Sequence, residues 1–233
     1  MSPVQAGLMR SRPYSELVGS LNYIAILTRP DIAHAVQQLC QFLHNPGQMH
    51  WKAAKQVLRY LKGTSEIGIC YGHQNKAILN NSVFTQSGPT RTDLRIYADS
   101  DWANCPDDRK SIGGYVYIYN HGPIDWCCSK LTDTALSSTA AEYYAACQAT
   151  VNAMWIQHLL GDFKIVVPKT ITIFEDNQSC IQYASNPFGR TRMKHIPLRY
   201  FFLREKIGRN EVKLIHVKSA ENLDLETERN SCP

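Results

Sequence analysis

The chain has 233 residues, 44% of them hydrophobic, which is enough for a packed core and too apolar for global disorder. Its formal net charge of +5 suits a polyanionic partner without specifying one. No run has the length and apolarity of a membrane span, and the opening MSPVQAGLMRSRP lacks an apolar signal core, so an intracellular protein with no membrane contact is expected. Its eight cysteines include the adjacent pair Cys127 and Cys128 but no C-x-x-C spacing. That pattern argues against a disulfide framework and against structural zinc.

Residues 1–12 read as a tail. From Pro13 to Tyr71 the pattern is helical, with Tyr14, Leu17, Val18, Leu21 and Ile24 recurring at helix spacing. Pro30 suits a first helical turn and Asp31 suits the positive end of the helix dipole. His44-Asn45-Pro46-Gly47 is a stop signal. A further helix over about His50 to Lys62 sets Trp51, Ala54, Val57, Leu58 and Leu61 on one face and Lys52, Lys55, Arg59 and Lys62 on the other. Residues 73–93 are mostly polar and read as a linker.

From Leu94 the character changes. Leu94 to Ala98 and Gly114 to Tyr119 read as strands. A hairpin turn is expected over Asn120-His121-Gly122-Pro123, with a returning strand from Ile124 to Cys128 that Thr134 to Leu136 extends. A long helix follows over about Thr139 to Leu160, capped by Ser137, Ser138 or Thr139. Then come a strand over Ile171 to Phe174, a helix to about Ser185, a break at Asn186-Pro187-Phe188-Gly189, a helix near Leu198 to Ile207 and a strand over Val212 to Val217. Three strands in a meander followed by helical crossovers make an α/β domain with a mixed five-stranded sheet and flanking helices. Trp102, Trp126 and Trp155 are expected in its core, with base stacking an alternative for Trp102.

Four acids stand where carboxylates could converge. Asp99 follows a strand in IYADSDWA, Glu142 lies in the first turn of the long helix, Asp176 closes ITIFE, and Asp224 lies in AENLDLE. Carboxylates brought together repel one another, and a hard divalent cation relieves that repulsion while activating water. Each acid also has a simpler explanation. Asp176-Asn177 reads first as a helix cap, Glu142 as an acid placed by the helix dipole, and Asp99 as a strand end. Arg109 and Lys110 lie in a charged turn, and Arg190, Arg192, Lys194 and His195 form a denser cluster. Either set could be a solvated surface or a contact for nucleic-acid phosphates.

The motifs YSELVGSLNYIAILTRPDIAHAV, HWKAAKQVLRYLKGT, YADSDWANCPDDRKSIGGYVY, ALSSTAAEYYAA, EDNQSCI and KHIPLRYFFLRE together resemble the carboxyl-terminal part of the Pol polyprotein of copia-type LTR retrotransposons, over about Pro13 to Asp224. The resemblance implies a reverse transcriptase thumb or connection piece over residues 1–72, the linker over 73–93, and an RNase H-like domain over 94–233. Its implied activity is metal-dependent hydrolysis of the RNA strand of RNA–DNA hybrids during reverse transcription. Asp99, Glu142, Asp176 and Asp224 would be the catalytic, metal-binding acids for two Mg²⁺ ions, with Mn²⁺ as a substitute. Arg109, Lys110, Arg190, Arg192, Lys194 and His195 would contact the nucleic acid.

The implied partners are the hybrid and the remainder of a Pol polyprotein, and the implied setting is the cytoplasm, with the nucleus second. The sequence departs from the family pattern at Pro197, where an Asp is usual, and at Phe201, where a His is usual. It also departs around Asp224, where a preceding Ala is missing and the end is divergent or truncated. A relic that keeps the fold and binds nucleic acid without cutting it is therefore the alternative. No Tyr-x-Asp-Asp run and no integrase segment occur, so polymerase activity is not expected.

Overall fold

The computed structural model describes residues 9, 11–71, 94–102, 109–186 and 201–218. The described residues form two compact units, one ending at residue 71 and the other starting at residue 94. The segment read as a linker lies outside the described residues.

The first unit is helical: α1 (Tyr14–Leu27), a 3₁₀ turn (Pro30–Ile32), α2 (Ala33–Cys40) and α3 (Gln48–Gly63). Tyr14, Val18, Leu21 and Ala25 recur every three or four residues along α1, which turns all four inward onto Ile32, Val36, Leu39, Ala54 and Val57. The expected tail is ordered near its end. Met9 is buried, its carbonyl accepts from the Arg12 amide, and the Arg12 guanidinium lies over the Trp51 ring. α2 stops at Cys40, earlier than the Pro46-Gly47 signal. Gly47 instead opens α3, its amide donating to Nδ1 of His50 at 2.8 Å. Leu58 is exposed rather than on the core face. Asp31 does more than sit at a helix start. It is buried and paired with Arg29 at 2.6 Å, and Arg29 also donates to the carbonyl and Oγ1 of Thr64 at the end of α3.

In the second unit, β1 (Arg95–Asp101), β2 (Ile112–Tyr119), β3 (Gly122–Lys130), β4 (Ile171–Glu175) and β5 (Val212–His216) form one sheet in the order β3-β2-β1-β4-β5. The meander is antiparallel, and β4 and β5 join it in parallel. This is the mixed five-stranded sheet with flanking helices expected from the sequence. The hairpin turn is tighter than expected. Tyr119 pairs with Gly122, leaving Asn120 (φ 50°) and His121 (φ 70°) as a two-residue turn. Two positive φ angles in succession match the twist of the flanking strands, and Asn tolerates that backbone well. Thr134 to Leu136 does not extend β3, which ends at Lys130. The chain has already turned inward at Leu131, which is buried and donates its amide to the Ser111 carbonyl.

The connecting helices are α4 (Ser138–Asp162), α5 (Gln178–Ser185) and α6 (Phe201–Gly208). Oγ of Ser137 accepts from the Ala140 amide and caps α4. Every residue from Ala140 to Cys147 is buried, because α4 runs across β1 and β2 while α5 and α6 pack beside it. On the other face Tyr97, Val116 and Ile118 form a smaller core with Trp126 and Phe174. Of the tryptophans expected inside, Trp126 is there. Trp155 is 60% exposed and Trp102 is 49% exposed, its Nε1 donating to the Ala135 carbonyl.

Candidate metal centre

Three structural elements deliver the acids. β1 is longer than its apolar alternation suggested, so Asp99 lies inside the ladder, opposite Gly114, rather than after the strand. α4 begins at Ser138, which puts Glu142 in the second turn rather than the first. It is too far in for the helix dipole to account for it, and it is only 6% exposed. Asp176 follows β4. The cap of α5 is its neighbour, Asn177, whose Oδ1 accepts from the Cys180 amide at 3.1 Å. Capping therefore does not explain Asp176.

One carboxylate oxygen from each of Asp99, Glu142 and Asp176 lies within 4.8 Å of the other two. The structure thus brings together three of the four acids singled out in the sequence. Asp224 lies outside the described residues, as do Arg190, Arg192, Lys194 and His195. Arg109 takes a positive φ of 56° and is exposed. Nζ of Lys110 donates to the Thr132 carbonyl. The pairing of Asp101 with Ile112 sets this segment near the end of β1 that carries Asp99.

A fourth acid was missed. Glu175 is the last residue of β4 and has no exposed surface. Strand alternation places it on the same face as Ile171 and Ile173, under the helices, so the pattern I-T-I-F-E already held the signal. Its Oε1 accepts from the Asn177 amide at 3.1 Å, while its Oε2, like Oε2 of Glu142, has no hydrogen-bond partner.

The electrostatics follow from crowding and burial. Glu142 is pushed up to about 11, first by burial and then by Glu175, Asp99 and Asp176. Glu175 is pushed up to about 8 by burial, with the Asn177 amide opposing and Asp176 and Asp99 adding to the rise. Buried carboxylates without a counter-charge hold protons, and a divalent cation among them reverses that preference. Oxygen donors from three separate elements, one with an unsatisfied buried oxygen, fit a hard divalent cation. The described cysteines, Cys40, Cys70, Cys127, Cys128, Cys147 and Cys180, form no disulfide, and none belongs to this cluster. Among the described residues no helix is long and apolar enough to cross a membrane.

No family model matches the chain. It is 36% identical over 218 residues to the retrovirus-related Pol polyprotein from transposon TNT 1-94 of Nicotiana tabacum, covering 94% of this chain and 15% of that one. It is 37% identical over 210 residues to the corresponding polyprotein from transposon RE2 of Arabidopsis thaliana, covering 90% and 13%. A shorter relative, secreted RxLR effector protein 161 of Plasmopara viticola, is 38% identical over 148 residues, which is 64% of this chain and 94% of the effector. Among solved structures, LC11-RNase H1 isolated from compost is similar over 56% of this chain and 88% of its own, with a TM-score of 0.44 and 14% identity. The chain thus spans about 15% of the length of the polyproteins it matches. With more than a third of the aligned residues identical over nine-tenths of its length, the chain is a homologue of one stretch of the retrovirus-related Pol polyproteins of copia-type transposons.

Proposed function

We propose that the second unit is an RNase H that hydrolyses the RNA strand of an RNA–DNA hybrid during reverse transcription. The observation that carries this reading is the convergence of Asp99, Glu142 and Asp176 within 4.8 Å, from a strand, a helix and a strand end of one sheet. Asp99, Glu142 and Asp176 hold the cation, with Asp224 completing the set. Two Mg²⁺ ions, or Mn²⁺ in their place, would supply an activated water and charge stabilisation at the leaving oxygen. The protein's part is to fix the carboxylates before substrate arrives. The β1 ladder holds the Asp99 backbone, the capped start of α4 fixes Glu142, and the turn into α5 fixes Asp176.

Arg109, Lys110, Arg190, Arg192, Lys194 and His195 grip phosphates and set the register of the duplex. Selection of the RNA strand comes from its 2′-hydroxyls. The helical unit is a thumb- or connection-like piece of the same polyprotein, over residues 1–72. Residues 73–93 link it to the RNase H domain of residues 94–233. On this reading the chain acts in the cytoplasm, with the nucleus as the second setting.

The test is cleavage of a labelled RNA–DNA hybrid by the purified chain in Mg²⁺ or Mn²⁺, with Asp99→Asn as control. Cleavage that disappears in the variant supports the assignment. Folded protein that binds the hybrid in a salt-dependent way and never cuts it supports the relic reading instead.

A further inference from the structure

We propose that Glu175 is a positioning residue of the acidic site: it holds the backbone that presents Asp176 and adds its own charge to the field on the bound cation. The inference rests on the metal-centre reading above.

A carboxylate at this point of β4 needs an explanation. Ile171 and Ile173 show that the face is apolar core, and an aliphatic side chain would fill it without penalty. Burying a carboxylate is costly unless it is paired or hydrogen-bonded. None of the ion pairs among the described residues involves Glu175. Its contact is local and directed instead. Oε1 takes the Asn177 amide at 3.1 Å, and Oδ1 of Asn177 takes the Cys180 amide at 3.1 Å. The Glu175 carbonyl also accepts from the Val217 amide. Asp176 therefore lies between two residues that are each tied down on both sides. These bonds restrain the bend that carries Asp176.

The other oxygen supplies the second half of the argument. Oε2 of Glu175 and Oε2 of Glu142 are both buried and both without a hydrogen-bond partner, and Glu175 is close enough for its charge to act on Glu142. A purely structural clamp needs one acceptor oxygen, which a glutamine provides equally well. The charge on the remaining oxygen is an added feature, and its use is to deepen the negative potential where the cation sits.

The experiment titrates Mn²⁺ into the full chain by electron paramagnetic resonance, for wild type, Asp99→Asn, Glu175→Gln and Glu175→Leu, with thermal melts of each. Glu175→Gln keeps the acceptor and the shape but removes the charge. The expected result is a melting point at or above wild type and Mn²⁺ affinity weakened about tenfold. Glu175→Leu, which loses both, is expected to weaken Mn²⁺ further while remaining folded. Cleavage kinetics should follow, with the loss in Glu175→Gln recovered at high Mn²⁺. Unchanged Mn²⁺ affinity in both Glu175 variants, with Asp99→Asn abolishing it, overturns the role of Glu175 and leaves the site intact. Unchanged affinity in Asp99→Asn as well overturns the site itself.

Discussion

Gly113 of β2 lies so close beneath Leu131 that a methyl group added to it would stand 2.8 Å from Leu131 Cδ2 and 3.3 Å from Ala145 Cβ. Leu131 is itself buried, 1% exposed. Gly113→Ala is expected to destabilise the second unit by about 1–3 kcal/mol through overpacking. A fall in the denaturant midpoint with an unchanged slope would show it. An unchanged midpoint would mean that Leu131 can repack.

Asp176 and Asn177 are adjacent polar residues with different jobs, and mutation separates them. Asn177→Ala removes the cap of α5 and is expected to cost about 1 kcal/mol. Asp176→Asn removes one of several like charges and breaks no cap. It is expected to leave stability equal or higher while abolishing hybrid cleavage. Loss of stability in Asp176→Asn would return the capping role to that residue.

The buried acids set a pH dependence. Glu175 rises from an ordinary 4.5 to about 8 on folding, and Glu142 rises as well. Between those values the folded state binds more protons than the unfolded one, so unfolding free energy falls as pH rises. Without divalent ions, melting temperature is expected to decline from about pH 4.5 to about pH 8. Mg²⁺ or Mn²⁺ binds only the folded carboxylates and is expected to flatten or reverse that slope. A melting temperature that rises through the same window in chelator would contradict the burial of unpaired acids.

Trp155 is 60% exposed on α4, whereas Trp126 packs into the second core. Trp155→Ala is expected to change stability by no more than about 0.5 kcal/mol. It is also expected to remove a large share of the emission that iodide quenches. Trp126→Ala should do neither: it destabilises by several kcal/mol through the cavity it leaves.

Arg29 and Asp31 form a buried pair in the helical unit. Asp31→Ala strands the guanidinium beside Thr64 and the Tyr60 ring, and is expected to cost about 3–5 kcal/mol. Calorimetry of the full chain would register this as a lower transition for the helical unit. An unchanged transition would mean that Thr64 alone satisfies Arg29.

The order of elements was legible because the strands and helices here are well punctuated segments, and three acids were legible because they stand in motifs. What escaped has physical causes. α4 is buried all round from Ala140 to Cys147, so it shows no amphipathic stripe, and nothing in its periodicity said that Trp155 faces out. A one-residue error at its start was enough to move Glu142 from the second turn to the first. Glu175 was passed over because Asp176 beside it explained the motif, although alternation from Ile171 already buried it. The early end of β3 follows from Leu131 turning into the core, a tertiary preference that local pattern does not carry.

α4 runs across β1 and β2 and buries Ala140, Ala141, Ala145, Ala146, Ala149 and Ala153, each at most 1% exposed. Side chains this small let the helix lie low on β1 and β2, and that height sets how far Glu142 must reach to meet Asp99 and Asp176. The site is therefore exposed to silent failure. Six buried alanines stand against three clustered acids, and an added carbon or two at any of them has to be accommodated by a shift of α4 or of what packs on it. Among related sequences, an intact set of acids is weaker testimony to a working enzyme than an intact row of alanines.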